Sequence, residues 1–495
     1  MPETKFSIFV EQATYRFFKA LVRAAELPVG EGFGKLVIES GKPVRPTEEL
    51  NMSSNKTART RRDFLRTTAL GTAAAAAALR PWESAPAVHV AGGEVLKVGL
   101  IGCGGRGTGA AFNCLRADPN TRLVAMADLF PDRLQNSLQT LQKTEAVAKQ
   151  VTVTPERCFV GFDAYKQLLS TDVDIVLLCT PPHFRPAHLQ AAIEAGKHVF
   201  AEKPVAVDAP GVRKVLAACE LAKQKGLAVV SGLCWRYHRG MRETMKRVHD
   251  GAIGDIVTMQ CTYNVGYLWV RTLAEKQKHG WSDMEWQCRN WLYFTWLSGD
   301  HIVEQHIHSL DKMAWAMQNQ YPVRCWGMGG RQVRTEPDYG HIFDHHAVVY
   351  EFANGVRLYS FCRQQKDTYA NISDQIFGTQ ATCDIQASRG EGILLSRQGE
   401  RKWSSRQAVR GLDDMYQNEH DEMLASIRAG RPINDGDWMA KSTLMAIMGR
   451  MATYTGKLIT WEMAFNSKED LTPPKYEFGP MPTPPVARPG ITPFV

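Results

Sequence analysis

From residue 94 onward the chain alternates short, wholly apolar runs with longer amphipathic ones. Residues 98–101 are apolar at consecutive positions, the pattern of a strand buried on both faces of a parallel sheet. A helical pattern follows from Thr108, and "RLVAMAD" reads as a second strand. Further along, "DAYKQLL" predicts a short helix, "VDIVLLCT" a strand and "AHLQAAIEAG" an amphipathic helix. "KHVFAEKPVA" then predicts a strand with a sharp end, "APGVRKVLAACELAKQKG" a helix and "LAVVSGL" a fifth strand. Strand–helix alternation at this spacing implies an α/β fold with a doubly wound parallel sheet. Ligands of such sheets sit at the carboxyl ends of the strands, where Thr180, Pro181, Glu202 and Lys203 fall.

The pattern then changes. "RYHRGMRETMKRVHDGAIGDIVTMQCTYNVG" reads as loop, helix, turn and strand. "HHAVVYEFANGVRLYSFCRQ" alternates with period two around Asn354-Gly355, a tight-turn pair, and predicts a hairpin. Residues 419–457 carry two amphipathic helical patterns. From Pro473 the chain is rich in Pro and Gly, which predicts an extended arm or disordered end. The expected organisation is a nucleotide domain over 94–232, a second α+β domain over 233–465 and a Pro-rich tail over 466–495.

Residues 60–80, "TRRDFLRTTALGTAAAAAALR", hold a twin arginine, Arg61-Arg62, before an Ala-rich run, and Ala85-Pro86-Ala87 offers a small-x-small cleavage site. Basic, apolar and small-residue regions in that order describe a signal peptide over 52–90, and the paired Arg marks the twin-arginine route. The apolar run is too short to span a bilayer, so no permanent membrane anchor is expected. Met52 opens an ordinary basic leader, so residues 1–51 read as an upstream extension or a mis-assigned start. The expectation is a periplasmic or extracellular protein delivered by the twin-arginine (Tat) machinery.

Net charge is +8, but many basic residues lie in the leader and the others are scattered. This gives no support for nucleic-acid binding. The eleven cysteines show no Cys-x-x-Cys spacing, so neither a disulfide framework nor a zinc site is indicated. His301, Glu304 and His308 share one helical stripe, and Asp344, His345 and His346 form another cluster. No paired spacing demands an ion there, and no metal is expected.

Gly102, Gly104 and Gly107 form G-x-G-x-x-G between the first strand and the first helix. With Gly105 and Arg106 they make a turn whose backbone can approach a pyrophosphate at a helix N-terminus. Asp128 ends the second strand, 26 residues after Gly102. A carboxylate there accepts the adenosine ribose hydroxyls and repels a 2′-phosphate, which favours NAD over NADP.

The segments "VGLIGCGGRG", "MAD", "CTPP", "AGKHVFAEKP", "GAIGDIV" and "SGDHIVEQHIHSLD" resemble the glucose–fructose oxidoreductase / inositol dehydrogenase / MocA (Gfo/Idh/MocA) family over roughly residues 95–465. The resemblance implies a Rossmann domain followed by a domain with a large, open, mainly antiparallel sheet that often mediates homo-oligomers. It also implies an enzyme, an NAD(P)-dependent oxidoreductase acting on a sugar, inositol or related polyol. The family's Lys-Pro lysine falls on Lys203, with Glu202 a partner for it. Its helix pattern Asp-x-x-x-His-x-x-Asp falls on Glu304, His308 and Asp311, with Glu in place of Asp. By resemblance His308 is the general base, Glu304 orients its ring and Asp311 binds a substrate hydroxyl. The loop near the nicotinamide makes Arg236 and Tyr237 substrate-pocket candidates, and His306, which replaces the usual small residue, is another. Trp281, Trp286, Trp291, Tyr293, Phe294 and Trp296 offer faces for stacking on sugars, or a core.

Free NAD is scarce outside the cytoplasm, whereas the Tat route carries folded protein. A tightly bound, internally recycled NAD is therefore expected. The alternatives are an NAD-dependent glycosidase or lyase working by transient oxidation, and a non-catalytic binding protein on the same scaffold.

Overall fold

The computed structural model describes residues 93–409 and 411–495. The leader, the upstream extension and the cleavage site lie outside the described residues.

Six parallel strands, β1 (Leu96–Ile101), β2 (Thr121–Asp128), β3 (Cys158–Val160), β4 (Ile175–Leu178), β5 (His198–Ala201) and β6 (Val229–Ser231), form a sheet in the order β3-β2-β1-β4-β5-β6. Helices α1 (Gly105–Ala117), α2 (Pro131–Lys143), α3 (Ala164–Leu169), α4 (Arg185–Glu194) and α5 (Ala209–Gln224) connect them. The central strands β1, β4 and β5 are buried almost throughout, because helices cover both faces. β3, only three residues long, gave no periodic signal. Order reverses between β1 and β4, and the crevice at that switch point receives the residues that follow β1, β4 and β5.

The second domain begins with α6 (Arg239–His249) and β7 (Ile256–Val265), followed by short helices α7 (Leu273–His279), α8 (Asp283–Arg289), α9 (Thr295–Ser298) and α10 (His301–Glu304), then α11 (Ile307–Ala316). Seven strands follow: β8 (Arg324–Gly330), β9 (His345–Glu351), β10 (Arg357–Gln364), β11 (Asn371–Gly378), β12 (Ala381–Gln386), β13 (Glu391–Ser396) and β14 (Arg401–Ser404). With β7 and β15 (Ile459–Thr460) they build a nine-stranded sheet in the order β14-β13-β12-β11-β7-β10-β9-β8-β15. It is antiparallel except for the β7–β10 pair. The β9–β10 hairpin turns through Gly355 at φ 85°, a conformation open to glycine.

Two helices return to the nucleotide domain. α12 (Met415–Arg428) is tied to the α1 layer by Arg428–Asp118 at 2.8 Å and by the Gln417 amide on Asn113 O at 3.0 Å. α13 (Gly436–Thr455) is buried on nearly every face, wedged between the two sheets. After α14 (Trp461–Asn466) the Pro-rich tail runs extended but packed. Phe478 stacks 5.9 Å from Phe130, and the Tyr476 hydroxyl meets His183 Nε2 at 2.8 Å. Its prolines exclude helix, while its aromatics anchor it.

Candidate active site

β1 delivers the glycine turn. Gly102 sits at φ 97°, and a Cβ there would lie 2.6 Å from Thr180 N. A Cβ on Gly107 would lie 1.9 Å from Gly102 O. Only glycine lets α1 start this close to the strand tips, and the helix's unpaired N–H groups then face the crevice. Asp128 closes β2. Its carboxylate accepts from Cys103 N at 2.6 Å and Phe130 N at 2.8 Å. Burial raises this carboxyl above the usual range, against the pull of the two backbone donors.

Gly102, Gly104, Gly105, Arg106, Gly107, Asp128, Thr180, Pro181, Glu202 and Lys203 all line one cleft of about 930 Å³. The residue set suits a dinucleotide: a glycine cradle and helix N-terminus for the pyrophosphate, and a carboxylate at the second strand's end for a ribose. Arg106 is turned aside. Its Nε lies 3.0 Å from Glu202 Oε1, and its guanidinium stacks 4.6 Å over Tyr416.

Glu304 and His308 line the same cleft from the second domain. Lys203 Nζ donates to Glu304 O at 2.5 Å and to Glu304 Oε1 at 3.0 Å. Two expected pairings are thereby corrected. Glu202 accepts the backbone N–H of Lys203 at 3.1 Å and pairs with Arg106; it does not hold the Lys203 ammonium. Glu304 holds Lys203 rather than orienting His308, whose Nδ1 is buried without a hydrogen-bond partner.

The single helical face expected for residues 304, 308 and 311 is also broken, between α10 and α11. His306 causes the break. Its Nε2 meets Ser360 Oγ at 2.7 Å and Cys261 Sγ at 3.6 Å in the sheet, while its N–H reaches back five residues to His301 O. Glu304 and His308 line the cleft on either side of that widened turn, and Asp311 does not line it. Burial, then the positive charges of Lys203 and Lys312, push the His308 imidazole well below its ordinary value. A neutral imidazole beside an ammonium can accept a proton.

Four expected substrate contacts do not line the cleft. Asp311 takes a bidentate bond from Arg236, at 2.8 Å to each oxygen, and one from Ser442 at 2.7 Å. The Arg236 guanidinium is stacked on Trp315 and Trp438 at 4.8 and 4.6 Å. Tyr237 donates to Asp435 at 2.6 Å, and His306 is buried as described. Arg236 and Asp311 hold each other, while Tyr237 and His306 are held by Asp435 and by Ser360 and Cys261. The resemblance placed these residues near the substrate, but packing between segments distant in sequence turns them inward.

Of the aromatic segment, Trp281 and Trp291 reach the cleft, while Trp286, Tyr293, Phe294 and Trp296 are core. Trp269, 6.3 Å from Trp291, and Tyr416 were missed. At the Asp128 end, Arg289 from α8 lies 3.8 Å over Phe130 and 4.9 Å from Trp281. Residues outside the parallel-sheet domain thus overhang that end. All eleven cysteines are free thiols, and no described helix is long and apolar enough to cross a membrane.

Residues 96–233 match the model of an oxidoreductase family with an NAD-binding Rossmann fold. Inositol 2-dehydrogenase of Pseudomonas savastanoi pv. phaseolicola is 27% identical over 295 residues, which cover 60% of this chain and 73% of that protein. The inositol 2-dehydrogenase of Pseudomonas fluorescens is 25% identical over 350 residues, 69% of this chain and 89% of its own. Among solved structures, levoglucosan dehydrogenase in complex with NADH and levoglucosan superposes with a TM-score of 0.58 at 15% identity, covering 74% of this chain and 99% of that one. An aldose–aldose oxidoreductase from Caulobacter crescentus gives 0.57 at 19% identity, covering 74% and 100%. These structures share the fold.

Proposed function

Because residues 96–233 are the NAD-binding domain of a Gfo/Idh/MocA-family oxidoreductase, we propose that this enzyme interconverts a secondary alcohol and a ketone on a sugar, inositol or related polyol. The observation that carries the reading is that Lys203 and His308, from different domains, line the cleft that also holds the glycine turn. A nicotinamide dinucleotide bound there supplies the ring that exchanges hydride with the substrate carbon. Lys203, fixed by Glu304, holds the reacting hydroxyl oxygen. His308, kept neutral, takes the hydroxyl proton during oxidation and returns it during reduction. Trp269 and Trp291 offer apolar faces to the C–H side of a ring-shaped substrate. Steady-state assays over a panel of sugars and inositols, with wild type and His308→Ala, test the assignment; no activity on any polyol overturns it.

The cofactor in this reading is NAD, since Asp128 stands where a 2′-phosphate would be repelled. It is retained rather than exchanged, which the overhanging Arg289 and Trp281 support. Protein purified without added nucleotide should carry NAD(H). Recovery of empty protein that turns over only with excess free NAD would count against retention.

The twin-arginine leader places this enzyme outside the cytoplasm in the same reading, and its freedom from disulfides suits cargo folded before export. Fractionation of cells expressing wild type and an Arg61→Lys/Arg62→Lys pair tests this. A homo-oligomer through the large sheet is also part of it. Trp326, Val349 and Tyr359 align across β8, β9 and β10, as do Met328, Ala347 and Phe361. Met328, Tyr359 and Phe361 are exposed, an apolar face suited to a second copy. Light scattering on Phe361→Glu should show smaller particles than wild type.

A further inference from the structure

Behind Glu304 lies a group of buried polar residues that the proposed reaction does not use. Asp300 immediately precedes α10, with φ 78° and ψ 162°, a backbone region essentially reserved for glycine. The side chain this conformation delivers is fully buried, as are those of His301 and His346. One donor atom from each lies within 4.8 Å of the others.

The hydrogen bonds leave these atoms turned toward a shared space. Asp300 Oδ2 is occupied, accepting from Phe343 N at 2.9 Å and the Tyr454 hydroxyl at 2.6 Å. Asp300 Oδ1 accepts the His301 backbone N–H and faces His301 Nδ1 at 2.8 Å and His346 Nε2 at 3.3 Å. Neither nitrogen is aligned for a hydrogen bond, and both are buried without a partner. The state of His346 follows from its other nitrogen. Nδ1 lies 2.9 Å from Thr453 Oγ1, and that hydroxyl donates to helix carbonyls at Gly449 and Arg450, 3.2 and 3.0 Å away. Thr453 therefore accepts from Nδ1–H, and in the neutral ring Nε2 presents a lone pair to a carboxylate oxygen. Two electron-rich atoms face each other in a buried space, an arrangement that calls for a cation between them.

We propose that Asp300, His301 and His346 bind a divalent metal ion of the zinc class. Two imidazoles and one carboxylate suit zinc, iron, nickel or copper rather than magnesium or calcium, which take oxygen ligands. Such an ion binds nitrogen and oxygen at about 2.0–2.2 Å, so Asp300 Oδ1 and His301 Nδ1, 2.8 Å apart, spread slightly to admit it. The surroundings fit. A ligating histidine usually donates its second ring N–H to an acceptor, as His346 does to Thr453, and Phe343 and Tyr454 fix the carboxylate. The role is structural. The ion joins the start of α10 to β9 and, through Thr453, to α13, and so sets the short helix that ends in Glu304. No local spacing announced the site, because His346 comes from a strand distant in sequence.

The test uses untagged, full-length protein. Elemental analysis after exhaustive dialysis should find one zinc-class ion per chain, lost in both His301→Ala and His346→Ala. Chelation of wild type should lower its melting temperature, and added Zn²⁺ should restore it; the two variants should respond to neither. Should the variants fail to fold, anomalous diffraction at the metal edge of wild-type crystals soaked in Zn²⁺ decides, with a peak between the three side chains expected. Wild type that stays metal-free after Zn²⁺ incubation, metal content equal in wild type and both variants, or an absent anomalous peak overturns the proposal.

Discussion

Lys203 Nζ stands 3.0 Å from Glu304 Oε1, so the tip of β5 in the nucleotide domain and the end of α10 in the second domain meet across the cleft. Both side chains are mostly buried yet line it. The extra methylene of Glu, where the resembling family commonly has Asp, spans this gap.

Lys203→Ala should lower kcat by at least about 100-fold, the loss typical of a positioned catalytic group, with nucleotide affinity changed far less. Glu304→Asp, a methylene short of the ammonium, should show a smaller loss. Steady-state kinetics beside nucleotide titration separates the two effects. Wild-type kcat in Lys203→Ala would exclude the assigned role.

His308 is held below its ordinary value by burial and by Lys203 and Lys312. As the imidazole stays neutral at pH 6.5, kcat/KM for alcohol oxidation should remain flat down to that pH and fall only in more acidic solution. His308→Ala should remove that acidic limb and about 100- to 10,000-fold of the rate. A limb centred at or above pH 6.5 would contradict the geometry.

Asp311 and Arg236 form a buried, bidentate ion pair remote from the cleft lining. Removing one partner of such a pair costs about 3–5 kcal/mol. Asp311→Ala should therefore unfold at markedly lower denaturant, while its folded fraction keeps the wild-type KM for polyol. A raised KM with unchanged stability would restore Asp311 as a substrate ligand.

His420 lies tilted against Phe200, ring centroids 4.4 Å apart, with no hydrogen bond on either nitrogen. Burial, then the charge of Arg106, pushes it down to about 3. Between that value and the unfolded value near 6.5 the unfolded chain binds the extra proton, so this residue's contribution is full above pH 6.5 and drains away as pH falls. The slope is about 1.4 kcal/mol per pH unit. His183, His188 and His198, pushed down to about 4, 3 and 4 by burial, act in the same direction. Asp435, raised to about 6 by burial, acts in the opposite one, so the comparison with a single variant isolates the effect. Chemical denaturation of His420→Phe at pH 5 and 7 should show a smaller loss on acidification than wild type. Equal losses would refute it.

Much of this was legible in the chain. The apolar runs at residues 98–101 and 175–178 and the glycine spacing at 102, 104 and 107 specify the parallel sheet and its turn through local constraints: strand burial, and backbone approaches that no Cβ permits. Asn354-Gly355 fixed a hairpin for the same local reason. Lys203 falls at a strand end that the sequence marks, and the roles of Lys203 and His308 came from the family resemblance. What only the tertiary structure decided is which charged groups meet. Arg236, Asp311 and Tyr237 look like pocket residues until partners far along the chain neutralise them. Glu304 and Asp311 share a helical face on paper, but His306 is pulled into the sheet and breaks that face. Periodicity reports which side of an element is buried; the partner waiting on that side is set by packing between distant segments, and that packing assigns each buried charge its role.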